Sequence, residues 1–265
     1  MELLEAALFG IIQGLTEFLP VSSSGHLALF GKFSSFPPEG GLLLHVVSVH
    51  TASLLAVLIV FRRDILSLFT SHRKVILMLV IGTIPAGVFG LLSRNFFEQA
   101  GSSMVLVGMG FLVSALFLLL GDRKKEPRKE LKNLSVIDSV TIGFAQALAI
   151  LPGISRSGST ISSARYRGVQ GFAAAKFSFL LVIPAVGGAA LLDAVELLKN
   201  GVCFEPTPMA VSFVTAFVVA IIALKVLLRL IKRGKFSYFS YYLIPLGVAT
   251  ISYGLFSSKL FAGLL

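Results

Sequence analysis

The sequence predicts an all-α polytopic membrane protein built as an inverted-topology repeat, each half a re-entrant broken-helix hairpin followed by three transmembrane helices. Three observations predict this fold class: an apolar composition, six long apolar runs, and two similar segments that are interrupted by proline and serine. Of the 265 residues, 55% are hydrophobic and only 14% are charged, which is far from the composition of a soluble domain. We therefore expect a single integral membrane domain over residues 1–265.

The six apolar runs are each long enough for a membrane-spanning helix, which needs about 20 residues. They cover 42–61, 75–93, 103–120, 172–192, 209–230 and 238–256. Little polar sequence remains between them, so we expect one compact bundle with short loops.

Two further segments, 3–31 and 137–164, are apolar at both ends but are broken in the middle by proline, glycine and hydroxyl residues. Inside hydrocarbon, a broken backbone is tolerated only where protein or a water-filled cavity satisfies its freed polar groups. Both segments are therefore predicted to be re-entrant hairpins, each made of a half-helix, an irregular tip and a second half-helix.

These two segments resemble each other: GIIQGLTEFLPVSSSGHL stands beside GFAQALAILPGISRSGST, with the tips LPVSSSG and LPGISRSG. Each is followed by three apolar runs, which predicts repeat one at 1–122 and repeat two at 133–265, joined by a charged linker at 121–133. Three crossings are an odd number, so the second repeat must begin on the opposite side of the membrane. The predicted repeat is inverted.

Basic residues collect on one predicted face of the membrane. If the linker side is the cytoplasm, 17 of the 23 lysines and arginines fall there, as the positive-inside rule predicts. They are Arg62, Arg63, Arg73, Lys74, Arg123, Lys124, Lys125, Arg128, Lys129, Lys132, Arg165, Arg167, Lys176, Arg229, Lys232, Arg233 and Lys235. Both termini should then lie outside, and the hairpins should enter from opposite faces so that their tips can meet. Because these residues lie mainly between apolar runs, the net charge of +10 relates to orientation, and we expect no nucleic-acid partner.

Two facing helix N-termini are expected where the tips meet. A helix N-terminus has unpaired N–H groups and a partial positive charge, which favour an anion such as phosphate. Arg156 strengthens this prediction, because a guanidinium matches phosphate oxygens in bidentate fashion and rarely enters a membrane segment without an anionic partner. We therefore predict phosphate or diphosphate binding in a largely apolar surrounding.

The first hairpin adds possible metal ligands. Gln13 and Glu17 are four residues apart, so they share one helix face and could present two oxygen atoms to a divalent cation, Mg²⁺ or Ca²⁺. Substrate phosphates would then complete the coordination shell.

The same hairpin carries hydroxyls and a histidine. Ser22, Ser23 and Ser24 stand at the start of the second half-helix, and His26 follows Ser23 by about one turn. His26 can act as the base that activates a serine hydroxyl, or it can activate water directly while the serines only cradle phosphate. The residues leave both alternatives open.

QGLTEFLPVSSSGHL and LPGISRSGST together resemble a known family, the undecaprenyl-diphosphate phosphatases of the bacterial cell envelope, a group tied to bacitracin resistance. The first stretch fits the family's (E/Q)xxxE and SSxGH patterns and the second its PGxSRSxxT pattern, and the apolar runs continue the match along essentially the whole chain. The resemblance implies hydrolysis of undecaprenyl diphosphate to undecaprenyl phosphate and phosphate, which recycles the lipid carrier for peptidoglycan synthesis.

The resemblance also implies roles for individual residues. Ser23 corresponds to the proposed nucleophile, His26 to its base or acid, and Arg156 to the diphosphate clamp. Glu17, a catalytic candidate, forms the metal-linked pair with Gln13, which stands where many members have Glu and leaves only one carboxylate. The remaining substrate-binding candidates are Ser22, Ser24, Gly25, Ser155, Ser157, Thr160 and, as a secondary lining residue, His50.

A transporter or flippase for lipid phosphate is the main alternative, because inverted repeats with broken helices recur in transporters. The two tips differ, however: only the first carries Glu17 and His26, and only the second carries Arg156. A carrier needs binding groups but does not obviously need a nucleophile with a base nearby, so this asymmetry favours the enzyme.

The expected setting is the bacterial inner membrane, with both termini toward the outer, periplasmic face. The family resemblance implies that the active site also opens to that face. Expected partners are the lipid diphosphate substrate and the phospholipid bilayer, and a homodimer is considered as the oligomeric state.

Overall fold

The computed structural model describes residues 2–37, 41–92, 100–122, 129–200, 205–233 and 236–262. The longer helices in these ranges are α1 (Glu2–Thr16), α2 (Ser23–Phe33), α3 (Leu42–Val60), α4 (Arg62–Thr70), α5 (Arg73–Leu92), α6 (Met104–Gly121), α7 (Val136–Leu148), α8 (Arg156–Tyr166), α9 (Gly171–Asn200), α10 (Pro206–Arg233) and α11 (Ser240–Ala262). Two short 3₁₀ helices, Leu131–Asn133 and Phe236–Phe239, precede α7 and α11.

Six helical stretches within the described ranges are long and apolar enough to cross a membrane by length and composition. They are Leu42–Val60, Arg73–Leu92, Met104–Gly121, Gly171–Asp193, Pro206–Ile231 and Phe236–Ser257. Each coincides within a few residues with one of the six predicted apolar runs. The expectation of an all-helical, multi-pass membrane protein is therefore confirmed.

The two predicted interruptions are real helix breaks with the same cause. Helix α1 ends at Thr16 and α7 ends at Leu148, in each case four residues before a proline, Pro20 or Pro152. A proline ring clashes with the carbonyl of the residue four positions earlier, so neither helix can continue. In each pair the second helix starts again within a few residues and packs against the first.

Each second half-helix begins at a serine cap. The hydroxyl of Ser22 accepts a hydrogen bond from the Gly25 amide at 3.3 Å, and the hydroxyl of Ser155 accepts one from the Gly158 amide at 3.1 Å. Such caps satisfy one of the N–H groups that a helix start leaves without an intrahelical partner. The serines that the sequence places at both tips therefore define where α2 and α8 start.

The two halves of the chain interlock through their broken hairpins. Helix α1 packs along α10, while α7 packs along α5, so each hairpin lies against a long helix of the other half. Glycines permit the close approach: a Cβ added to Gly14 would lie 2.6 Å from the Ala216 carbonyl oxygen, and one added to Gly143 would lie 2.6 Å from the Gly82 carbonyl oxygen. Only a residue without a side chain fits at either contact.

A buried carboxylate anchors the end of the linker to the second hairpin. Asp138, at the start of α7, is fully buried and accepts hydrogen bonds from Lys129 Nζ at 3.0 Å and Arg167 Nε at 2.9 Å. It also completes a capping box with Ser135. Several basic residues used in the orientation prediction lie outside the described residues, namely Arg123, Lys124, Lys125, Arg128 and Lys235.

Candidate functional site

The tips of the two hairpins meet, as their predicted arrangement requires. The Ser157 hydroxyl donates to the Leu19 carbonyl at 3.2 Å, which joins the start of α8 to the first tip. A Cβ added to Gly25 would lie 3.0 Å from the Gly153 Cα, so the tip backbones are nearly in contact there. The polar groups that the sequence separates by more than a hundred residues are thereby brought together.

A cavity of about 220 Å³ lies between the tips. Seven predicted site residues line it, namely Glu17, Ser22, Ser23, Ser24, His50, Ser155 and Arg156. Five further residues complete the wall, namely Thr16, Ala149, Ile150, Ile154 and Val186. Four of these five are ordinary apolar residues, so no sequence signal distinguished them from residues that face lipid.

Glu17 is the centre of the cavity's polar contacts. One carboxylate oxygen accepts a hydrogen bond from Arg156 Nη2 at 2.5 Å, and the other accepts one from the Ser23 hydroxyl at 2.6 Å. Both members of the ion pair are largely buried, with 6% of the Glu17 side chain and 15% of the Arg156 side chain exposed. A buried carboxylate needs such a partner, because leaving water without compensation is costly.

Gln13 lies beside Glu17, as the four-residue spacing predicts. Its Nε2 donates to Glu17 Oε2 at 3.1 Å, whereas its Oε1 is buried without a hydrogen-bond partner. A cluster of three or more His, Cys, Asp or Glu side chains that could hold a metal is absent from the described ranges. The protein therefore offers a cation one carboxylate and one spare amide oxygen, which suits Mg²⁺ only if substrate phosphates supply further ligands.

His26 is not hydrogen-bonded to Ser23, although the two lie about one turn apart on α2. Its Nδ1 lies 2.7 Å from the Ser22 carbonyl oxygen, and its Nε2 lies 2.8 Å from the hydroxyl of Tyr242 in α11. The ring therefore turns back toward the cap of its own helix, while the Ser23 hydroxyl turns to Glu17. The spacing along α2 did not predict these contacts, because Ser23 finds its partner in Glu17 and His26 finds its partner in Tyr242 of α11.

His50 reaches the cavity, as predicted. Its Nδ1 lies 2.8 Å from the Val46 carbonyl oxygen within α3, and its Nε2 lies 3.9 Å from Glu17 Oε2. A carbonyl can only accept, so Nδ1 carries the proton and Nε2 faces the carboxylate. His50 is thus the imidazole that lines the cavity, a position that the sequence assigned only secondary weight.

Several other predicted binding residues make structural hydrogen bonds within or between the hairpins and do not line the cavity. The Gly25 amide is used by the Ser22 cap, and the Ser157 hydroxyl is used by the Leu19 carbonyl. The Thr160 hydroxyl donates to the Arg156 carbonyl at 2.7 Å and lies 2.6 Å from the Ser178 hydroxyl. These contacts stabilise the backbone that carries Arg156.

Ser114 is a tip-holding residue that the sequence reading missed. Its hydroxyl, on α6, donates to the Gly153 carbonyl at 3.0 Å and accepts from the Ser155 amide at 2.7 Å. One buried hydroxyl thus satisfies two backbone groups of the second tip. The available signal was one serine in the interior of the apolar run 103–120, whose other serine, Ser103, stands at its first position.

Together, the fold and the cavity define a class: a multi-pass membrane protein whose two broken hairpins bring a hydroxyl, a carboxylate and a guanidinium together. The guanidinium suits phosphate oxygens, and the hydroxyl bound to a carboxylate suits nucleophilic attack.

The chain belongs to the bacitracin resistance protein BacA family, whose model matches residues 6–249. It is 42% identical over 255 residues to an undecaprenyl-diphosphatase of Carboxydothermus hydrogenoformans, covering 95% of this chain and 97% of the relative. It is 40% identical over 250 residues to undecaprenyl-diphosphatase 3 of Bacillus cereus, covering 94% and 96%. An undecaprenyl-diphosphatase of Alkaliphilus metalliredigens is 35% identical over 275 residues, covering 96% and 100%.

Proposed function

We propose that this protein is an undecaprenyl-diphosphatase that hydrolyses undecaprenyl diphosphate to undecaprenyl phosphate and inorganic phosphate. Relatives named for that activity match it over almost their whole length. The observation in the structure that carries the proposal is Glu17, which binds the Ser23 hydroxyl with one oxygen and Arg156 with the other. The reaction would return the lipid carrier to peptidoglycan synthesis.

Arg156 is proposed to change partners when the substrate binds. A diphosphate carries more negative charge than one carboxylate and offers oxygen pairs that match the guanidinium fork, so it competes with Glu17 for Arg156. Glu17 Oε1 then loses its guanidinium partner and becomes available to a divalent cation, while Oε2 still accepts the hydrogen bond from the Ser23 hydroxyl and can take its proton. Substrate binding and activation of the nucleophile would thereby be coupled through one ion pair.

The proposed chemistry is a displacement at the terminal phosphorus. The Ser23 oxygen forms the new bond to phosphorus as its proton passes to Glu17, and the bond to the bridging oxygen breaks with its electron pair leaving on undecaprenyl phosphate. Water then hydrolyses the phosphoserine and releases inorganic phosphate. Arg156 and the N–H groups at the starts of α2 and α8 stabilise the charge that builds on the transferred group.

Direct attack by water is the second route for this site. In that route Ser22, Ser23 and Ser24 only bind phosphate, and a carboxylate or imidazole at the cavity takes a proton from the attacking water. Glu17 and His50 both line the cavity and are the candidates. The two routes differ in one observable, because only the first forms a phosphorylated enzyme.

A divalent cation is part of the proposal. Glu17 and Gln13 would hold it together with phosphate oxygens of the substrate, and the unpartnered Gln13 Oε1 is the atom that such a cation would satisfy. When bound, Mg²⁺ or Ca²⁺ would neutralise charge on the diphosphate and so favour attack by a nucleophile.

The proposed membrane arrangement is the inverted repeat, with the active site open to the periplasmic face of the inner membrane. The reciprocal packing of α1 on α10 and α7 on α5 supports it, because a two-fold relation between halves would produce such a pair of contacts. The concentration of basic residues on the linker side supports the orientation. A homodimer stays a prediction.

The activity is tested by measuring phosphate release from undecaprenyl diphosphate by purified protein in detergent, with and without chelator. Ser23→Ala and Arg156→Ala should lose most of the activity. The matched control Thr51→Ala should keep it, because the Thr51 hydroxyl is exposed and donates to the Val47 carbonyl of its own helix, α3. Trapping of a phosphorylated protein that Ser23→Ala cannot form would select the serine route. Absence of phosphate release by folded wild type would contradict the proposed function.

A further inference from the structure

The backbone at Ser22 is strained. Among the described residues it is the one non-glycine residue with a positive φ, at 71°, and its ψ is 101°. Side chains disfavour this region, so surrounding contacts must hold a residue there. Ser22 immediately precedes Ser23, so its backbone direction controls where the Ser23 hydroxyl points.

The His26 ring helps to hold Ser22 in this backbone conformation. Its Nδ1 lies 2.7 Å from the Ser22 carbonyl oxygen, and because a carbonyl can only accept, Nδ1 carries the proton. In a neutral imidazole, Nε2 is then an acceptor, and the Tyr242 hydroxyl at 2.8 Å donates to it. Tyr242 therefore selects the tautomer that ties the ring to Ser22.

Ring contacts hold the imidazole in that orientation. The His26 and Tyr242 rings are stacked, with centroids 5.8 Å apart and an angle of 16°. The edge of Phe111 closes the other side at 5.3 Å. The imidazole is thus held between α6 and α11, and both of its nitrogens already have partners.

We propose that His26 and Tyr242 are a positioning pair that holds the Ser23 hydroxyl against Glu17. Tyr242 orients the His26 ring, the ring fixes the Ser22 carbonyl, and the fixed carbonyl sets the direction of the next residue. Ser23 then lies 2.6 Å from Glu17, which is its proton acceptor. The inference rests on the proposed function, and it assigns His26 to orientation and not to proton transfer.

Four substitutions test the pair, with phosphate release from undecaprenyl diphosphate measured as kcat and KM across pH. The amide nitrogen of Asn occupies nearly the position of Nδ1, so His26→Asn keeps the donor to Ser22, whereas His26→Ala removes it. Tyr242→Phe removes only the hydroxyl. Tyr241→Phe is the matched control, since Tyr241 is 72% exposed and its ring contacts Tyr238.

We expect Tyr242→Phe to lower kcat about three- to tenfold, the effect of one lost hydrogen bond, with KM unchanged. His26→Asn should retain at least tenfold more activity than His26→Ala. His26→Asn and Tyr242→Phe should both keep the wild-type pH profile of kcat. Adding Tyr242→Phe to His26→Ala should cost nothing more, because the tyrosine acts through the imidazole.

Three activity results would overturn the proposal. If His26→Asn is as inactive as His26→Ala, or if a limb of the pH profile disappears with the imidazole, His26 transfers the proton itself. If Tyr242→Phe has wild-type kcat, the Tyr242 hydroxyl does not orient the His26 ring for catalysis.

A readout independent of catalysis separates this inference from the proposed function. The chain has four histidines, so ¹⁵N-histidine NMR in detergent can identify the His26 signal by its loss in His26→Asn. We expect wild-type His26 to be the Nδ1-protonated tautomer and Tyr242→Phe to shift that signal. Inactive wild type with this spectrum would contradict the proposed function alone, whereas an Nε2-protonated His26 would contradict the positioning pair.

Discussion

Glu17 and Arg156, 139 residues apart in the chain, form a largely buried ion pair that joins the two hairpin tips. The pair stabilises the apposition of the tips and also withholds both groups from the cavity until an anion competes for the arginine. Stability and reactivity are therefore properties of the same contact, and variants of this pair should separate them.

Arg156→Met should cost about 3 kcal/mol of unfolding free energy, because it leaves the Glu17 carboxylate buried without its guanidinium counter-charge. Adding Glu17→Gln should recover much of that stability while the double variant stays inactive. Thermal unfolding in detergent measures the first effect and phosphate release the second. Arg229→Ala, an exposed arginine on α10, is the control. Equal melting temperatures for the single and double variants would contradict the argument.

Gln13→Glu should tighten the binding of a divalent cation. Gln13 Nε2 lies 3.1 Å from Glu17 Oε2, so a second carboxylate there would be repelled unless a cation lies between them. We expect the variant to need less Mg²⁺ for half-maximal phosphate release and to melt at a lower temperature than wild type in chelator. If wild type and variant respond identically to Mg²⁺, Gln13 takes no part in cation binding.

Gly14→Ala should destabilise the protein by about 1–3 kcal/mol, since the added Cβ would lie 2.6 Å from the Ala216 carbonyl oxygen in α10. Gly87→Ala is the matched control, because a Cβ at that position of α5 meets nothing within 4 Å. It should be neutral or stabilising by up to about 1 kcal/mol, through helix propensity. Melting temperatures in detergent compare the two, and a neutral Gly14→Ala would show that α1 and α10 separate easily.

Asp138 should give the protein an acid-sensitive contribution to stability. Burial alone would raise the pKa of this carboxyl, but hydrogen bonds from Ser135, Lys129 and Arg167 outweigh it and lower the pKa from 3.8 to about 2. The lowered pKa stabilises the fold above pH 3.8, and the contribution, about 2 kcal/mol, is lost as pH falls through about 2.

Asp138→Asn tests that contribution. The variant should be less stable than wild type at pH 6, and the difference should shrink between pH 4 and pH 2 when unfolding is followed in detergent. Lys132→Ala is a suitable control, because Lys132 is exposed and forms a surface ion pair with the exposed Glu130. A stability difference between wild type and the Asp138→Asn variant that stays constant from pH 6 to pH 2 would contradict the assignment.

The helix breaks could be predicted because their cause is local. Pro20 and Pro152 end α1 and α7 through a clash with the carbonyl four residues earlier, and sequence alone places that clash. The six apolar runs were predictable for a similar reason, since a span depends on composition over about 20 residues.

Partner choice at the site could not be predicted, because it depends on contacts between distant segments. The sequence indicated Glu17 as a metal ligand and Arg156 as a phosphate clamp, but not that each is the other's partner. Tyr242 lies 216 residues from His26 in the chain. It stands in a stretch rich in aromatic residues, so nothing in the sequence distinguished it as a partner of His26. Spacing within α2 suggested that Ser23 and His26 could act together. In the structure, Ser23 instead bonds Glu17, and His26 bonds Tyr242.

The packing of α1 against α10 has a consequence for biogenesis. Helix α10 begins at Pro206, so the ribosome must produce about two hundred residues after α1 before the surface that covers Gly14 exists. The Glu17 carboxylate likewise has no ion-pair partner until Arg156, 139 residues later in the chain, has been made. We therefore expect the first hairpin to reach its final position in the membrane only after the second half of the chain has been made.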